Sequence, residues 1–254
     1  MRMRILVLGG TAEASALARA LATRADLDAI LSFAGRTKIP DGWPIRTRVG
    51  GFGGVEGLAA YLRSERIDAV VDATHPFATR ISHNAQAACA STGTPIIVLT
   101  RPAWRREAND RWISVPALTE APTALGEVRK RVFLTIGRLE LAAFETAPQH
   151  HYLVRSIEPL DPRPRLPHLH FIAARGPFDV AAERALMQSE NIEILVTKNS
   201  GAPATFAKIE AARQLDLPVV MIDRPAQADA PAVRDPSEVL AWIDRLQPAP
   251  VPAR

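Results

Sequence analysis

The sequence predicts an α/β protein of two doubly wound domains, with mainly parallel sheets and a cleft between the domains. Three observations predict it. Short aliphatic runs recur without polar alternation, as strands covered on both faces require. Between them lie segments with apolar residues at helical spacing. Several runs end in turns rich in Gly, Ser or Thr that lead into a helix, the place where open parallel sheets hold ligands.

The first such unit is Arg4-Ile5-Leu6-Val7-Leu8, running into Gly9-Gly10-Thr11-Ala12-Glu13 and then a helix with Ala14, Leu17, Ala18 and Leu21 on one face. A strand, a tight turn and a helix N-terminus present backbone N–H groups and the positive end of a helix dipole, which suit a phosphate. The dinucleotide fingerprint places Gly at three spaced positions, whereas this turn has Gly9, Thr11 and Ala14. Thr11 therefore either crowds a pyrophosphate or becomes a ligand to it. The plainer alternative is that the glycines serve the turn alone.

Leu27 to Phe33 reads as the second strand, and the segment from its end holds Ser32, Arg36, Thr37 and Lys38 without an acid. An acid at this place selects NAD, while an Arg with hydroxyl donors accepts the 2′-phosphate of NADP. Ser32 and Arg36 are the candidate phosphate readers, with a solvated basic loop as the alternative. Ile45 to Val49 is a further strand, Gly50 to Gly54 a turn, Val55 to Ser64 a helix, and Ile67 to Asp72 another buried strand. Thr74 then caps a helix that runs to about Thr92 with Pro76 in its first turn, which puts His75 at the carboxyl end of a parallel strand. Thr94 to Leu99 completes a Rossmann-like domain over residues 1–100.

The charged, proline-containing stretch Arg101 to Arg106 marks the boundary to a second α/β domain over residues 101–246. Its strands fit Trp112 to Val115, Val132 to Ile136, Tyr152 to Val154, His170 to Ala174, Ile192 to Thr197 and Val219 to Ile222. Helices fit Leu118 to Lys130, Asp179 to Ser189, Ala204 to Leu215 and Pro236 to Leu246, and residues 247–254 form a flexible tail. One turn, Lys198-Asn199-Ser200-Gly201 before Pro203, collects an ammonium, an amide and a hydroxyl at a helix start, and it is read as an anion cradle or as a capped turn.

Composition narrows the function classes. The 254 residues hold one cysteine, Cys89, which excludes intramolecular disulfides and thiolate clusters. The pairs His150-His151 and His168/His170 have no carboxylate at useful spacing, so no metal site is expected. Net charge is +4, but the basic residues are scattered and only 6% of residues are aromatic, which argues against nucleic acid and for a polyanionic small substrate. No apolar run is long enough to span a membrane and no signal peptide opens the chain, which points to the cytoplasm. The Tyr-x-x-x-Lys acid of short-chain dehydrogenases is missing: Tyr61 is followed by Glu65 and Tyr152 by Ser156.

Leu8 to Glu13, Asp72-Ala73-Thr74-His75-Pro76-Phe77-Ala78 and Thr197 to Gly201 together resemble the precorrin-6A reductases of cobalamin biosynthesis, over about residues 3–245. The resemblance implies NADPH-dependent reduction of a carbon–carbon double bond in a corrin precursor, to the dihydro product precorrin-6B, with transient contact with neighbouring pathway enzymes. It implies Gly9, Gly10, Thr11, Ala12 and Glu13 at the pyrophosphate, and Thr74 and His75 near the nicotinamide. Lys198, Asn199, Ser200 and Gly201 would then hold the tetrapyrrole substrate or the nicotinamide ribose. His75 is the candidate proton donor and bound water its rival. The alternatives are a non-catalytic NADP-binding regulatory module and, on the basic charge, a nucleic-acid binder.

Overall fold

The computed structural model describes residues 2–35, 42–157, 159–161, 163–226 and 230–247. It divides into two compact units, one formed by Met1–Pro102 with Ala226–Arg254 and the other by Ala103–Pro225. The first opens with β1 (Met3–Leu8), α1 (Ala12–Ala22), β2 (Leu27–Phe33), β3 (Arg46–Val49), α2 (Gly54–Ser64), β4 (Ala69–Asp72), α3 (Thr79–Thr92) and β5 (Ile96–Leu99). The second holds β6 (Arg111–Val115), the short α4 (Ala121–Ala124), β7 (Arg131–Leu134), β8 (His151–Ser156) and β9 (Leu169–Ala173). It continues with α5 (Val180–Ser189), β10 (Ile194–Lys198), α6 (Ala207–Gln214) and β11 (Pro218–Ile222). The chain then returns to the first unit with β12 (Ala232–Val233) and α7 (Pro236–Leu246).

Among the described residues both sheets have six strands, ordered β12-β5-β4-β1-β2-β3 in the first unit and β6-β11-β10-β7-β8-β9 in the second. Every pairing is parallel. Alternation along each central strand explains the two helical layers of the first unit. Ile5 and Val7 of β1 pack with Leu17 and Leu21 of α1 and with Val239 and Ile243 of α7. Leu6 and Leu8 point the other way, onto Leu58 and Leu62 of α2 and Ala85 and Ala88 of α3. In the second unit Phe133, Leu195 and Met221 meet Met187 of α5 and Ile209 and Ala212 of α6. Each such Val, Leu, Ile, Met or Phe side chain, removed from water, contributes about 1.5–3 kcal/mol.

Three expectations are corrected. The stretch from Ala226, expected to finish the second domain, instead adds β12 beside β5 and lays α7 on the first sheet. An apolar helical face states that it must be covered but not by which sheet. The helix expected from Thr74 begins at Thr79, because the Asp72 carboxylate accepts both the Thr74 N–H (3.1 Å) and the Thr74 hydroxyl (2.7 Å), so that hydroxyl serves the strand end. The helix expected over Leu118 to Lys130 stops after Ala124, where Gly126 takes φ +77°, a conformation that breaks a helix. Arg138–Thr146, left without an element by its sequence, forms a 3₁₀ segment whose Glu140 accepts the Gly137 N–H at 3.1 Å.

Candidate functional site

In an open parallel sheet the ligand crevice lies at the carboxyl ends of the strands where the order reverses. In the first unit that point falls between β1 and β4. Gly9, Gly10 and Thr11 leave β1 there, and Ala73 and Thr74 leave β4. Gly9 stays in the sheet, donating to the Ser32 carbonyl at 2.8 Å, and a Cβ on it would stand 2.7 Å from Leu31 Cδ1. Gly10 has φ +117°, which only glycine adopts without strain, and a Cβ placed on it meets nothing within 4 Å. The turn is thus open above Gly10, as a backbone cradle for a phosphate must be.

Thr11 resolves the doubt its side chain raised. Its hydroxyl donates to the Ala73 carbonyl (2.7 Å) and accepts the Ala14 N–H (3.1 Å), so it caps α1 and ties the two sides of the switch point together. The Ala12 and Glu13 N–H groups lie in the first turn of α1, where no intrahelical acceptor exists. Glu13 is held by Arg101 (2.6 Å) in a largely buried pair, so its negative charge is neutralised beside the turn. Arg101, read from sequence only as part of a boundary, is in fact an anchor of this loop.

Ser32, at the end of β2, is buried and its hydroxyl faces Arg48 Nη1 at 3.0 Å. Arg48 was missed in the sequence. Arg36, the other residue expected here, lies outside the described residues together with Thr37 and Lys38. Beside β4, a cavity of about 210 Å³ is lined by Asp72, Thr74, His75, Ser82, His83 and Gln86 among others. The Thr74 and Ser82 hydroxyls lie 3.3 Å apart, and His75 Nδ1 accepts the Phe77 N–H at 3.3 Å. His83, one turn into α3, is a second imidazole of this cavity that the sequence did not single out.

In the second unit the order reverses between β7 and β10. Lys198 ends β10 and is ion-paired with Glu140 of the 3₁₀ segment. Asn199 is not presented as a ligand: its side chain accepts the Trp104 N–H (2.7 Å) and donates to the Trp104 carbonyl (3.1 Å). The Asn199 and Ser200 carbonyls accept from Arg224 at 2.8 Å each, the Ser200 hydroxyl accepts the Ala202 N–H at 3.4 Å, and Gly201 takes φ +71°. In this loop, read from sequence as an anion cradle or a capped turn, Arg224 clamps the backbone, and Lys198 at its start is drawn to Glu140.

Other expected clusters resolve differently. His168 precedes β9 and stacks on His151 with centroids 4.5 Å apart, while His170 Nδ1 lies 3.6 Å from Glu190, a carboxylate that sequence spacing did not reveal. His150 is buried and accepts the Lys130 N–H at 3.2 Å. Among the described residues no group of three or more His, Cys, Asp or Glu is arranged to hold a metal ion. Burial, with the nearby Asp72 charge, pushes the Cys89 thiol up to about 12, which makes it an inert core residue.

Fold and site together define a two-unit α/β protein whose first sheet has the strand order of the Rossmann fold, with a glycine turn at its switch point. Comparison with known proteins narrows the class. A family model described as Precorrin-6x reductase CbiJ/CobK matches residues 4–244. A precorrin-6A reductase of Sinorhizobium sp is 51% identical over 240 residues, covering 94% of this chain and 92% of that protein. One from Rhodobacter capsulatus is 47% identical over 94% of this chain and 95% of that protein. A solved structure titled CobK precorrin-6A reductase superposes with a TM-score of 0.90 at 45% identity, over 99% of this chain and all of that one. The chain belongs to the precorrin-6x reductase family.

Proposed function

We propose that this chain reduces one carbon–carbon double bond of precorrin-6A with NADPH, giving precorrin-6B, a step of cobalamin biosynthesis. The observation that carries the reading is the Gly9-Gly10-Thr11 turn closed onto Ala73 at the switch point, in a chain that matches proteins named precorrin-6A reductase over nearly its whole length. When bound, the nicotinamide supplies the hydride. The protein's share is binding, orientation and exclusion of water.

The residues fit that cofactor. The open face above Gly10 and the first-turn N–H groups of Ala12 and Glu13 receive the pyrophosphate, while Thr11 shapes the turn through its cap. Ser32 lies where the adenosine ribose belongs, and Thr74 and His75 line the cavity at the end of β4. His75, whose Nδ1 takes the Phe77 N–H, is held at that cavity to orient a ligand. An imidazolium, which a proton donor requires, would point a second N–H at that of Phe77. We therefore assign His75 to positioning and the proton to water. The precorrin carboxylates are matched by a chain of net charge +4, with Lys198 and Ser200 of the second unit as contacts.

The test is turnover. Purified protein with NADPH and precorrin-6A should consume both in equal amounts and yield a product richer by one pair of hydrogens. Binding of NADPH with no consumption in the presence of the tetrapyrrole would instead favour a non-catalytic NADP-binding module.

A further inference from the structure

We propose that Arg48, acting with Ser32, reads the 2′-phosphate of the nucleotide and so decides NADPH over NADH. The inference rests on the cofactor reading above. β3 pairs in parallel with β2 so that Arg48 stands directly opposite Ser32, both at the carboxyl end of their strands. Ser32 lies 22 residues beyond Gly10, where an acid would bind the ribose hydroxyls of NAD. Among the described residues no carboxylate lies within ion-pairing distance of Arg48, whereas its strand neighbour Arg46 is paired with Glu65 at 2.7 Å.

The donor inventory sharpens this. Arg48 Nη1 donates to Ser32 Oγ (3.0 Å) and to the Gly50 carbonyl (2.9 Å), and Nη2 donates to the Gly51 carbonyl (3.1 Å). The guanidinium lies over the Phe52 ring, 3.8 Å from its centroid, so its plane is fixed. A guanidinium has five N–H groups. Three are used, which leaves Nε–H and one Nη2–H as donors for phosphate oxygens. Ser32 accepts from Arg48, which leaves its own O–H as a donor. A preset cation and a hydroxyl donor at this position form a site for a phosphate monoester.

A purely structural Arg48, clamping the Gly50-Gly51 turn, would affect both cofactors alike. The experiment measures dissociation constants by calorimetry for NADPH, NADH, 2′,5′-ADP and ADP, with the wild type, Arg48→Ala, Arg48→Lys and Arg46→Ala. We expect Arg48→Ala to weaken NADPH and 2′,5′-ADP by at least about tenfold while NADH and ADP change less than about twofold. Arg48→Lys, which keeps the charge and loses the fork, should fall between the wild type and Arg48→Ala. Arg46→Ala should match the wild type. Equal losses for all four ligands, or an undiminished preference for NADPH in Arg48→Ala and Arg48→Lys, overturn the assignment while leaving the cofactor reading intact. A wild type that binds NADPH no more tightly than NADH removes the cofactor reading itself. Should Arg48→Ala fail to fold, the contrast between Arg48→Lys and the wild type on 2′,5′-ADP against ADP decides the matter.

Discussion

Replacing Glu183 by Ala should destabilise the second unit more than any other single truncation of a charged residue there. Glu183 of α5 and Arg155 of β8 form a two-pronged ion pair whose side chains are 4% and 6% exposed. The Arg155 guanidinium also lies over Phe178, 3.7 Å from the ring centroid, and near the buried Lys208 of α6, so it is almost shut off from water. Removing the carboxylate leaves the buried Arg155 cation uncompensated, a situation that costs about 3–5 kcal/mol. Urea unfolding at pH 8 gives the measurement. Replacing both partners, Arg155→Met with Glu183→Met, removes the charge pair but keeps its volume and should recover most of the loss. A Glu183→Ala protein within about 0.5 kcal/mol of the wild type would refute the reasoning, since it would mean that water reaches Arg155.

Other outcomes follow from the same structure. Burial, reinforced by Arg155, lowers the Lys208 ammonium to about 7 against an ordinary value of 10.5. Between those values the unfolded chain holds the proton and the folded chain does not, so this lysine's contribution to stability rises with pH across the window and is flat below it. Lys208→Met should accordingly raise the melting temperature more at pH 6 than at pH 10, and an equal gain at both would contradict the assignment. Gly10→Ala places a methyl in open space but at φ +117°, so strain alone should cost about 1–3 kcal/mol and weaken NADPH and NADH together. His75→Ala should lower kcat by less than the hundredfold or so expected on loss of a general acid, with its pH–rate profile unchanged; loss of one limb of that profile would restore His75 as the proton donor. Lys198→Ala should raise KM for the tetrapyrrole more than for NADPH, and identical changes would confine Lys198 to its bond with Glu140.

Much of this was legible in the residues themselves. β2 runs from Leu27 to Phe33 as its aliphatic run indicates, and the Gly9-Gly10-Thr11 turn does lie at the switch point. Parallel strands buried on both faces announce themselves, because every residue of Ile5–Leu8 must be apolar. What stayed hidden was decided by tertiary partners. Val239 and Ile243 declare a buried helical face, yet the sheet they cover belongs to residues more than a hundred positions earlier. Ile45 to Val49 reads only as a further strand until parallel register sets Arg48 against Ser32. Thr74 is a good helix cap in isolation, but the Asp72 carboxylate two residues before it claims the hydroxyl first. Asn199 reads as a ligand until Trp104, 95 positions away, occupies both ends of its amide.

The central claim, that this chain carries hydride from NADPH to the precorrin skeleton, is tested most directly by isotope transfer. Single-turnover reduction of precorrin-6A with NADPH deuterated at the reactive face of C4, followed by mass spectrometry of the product, should show one deuterium carried from the cofactor. A parallel reaction with unlabelled NADPH in heavy water should show one non-exchangeable deuterium drawn from solvent. A product with no cofactor deuterium, or a tetrapyrrole recovered unchanged while labelled NADPH remains bound, would contradict the account.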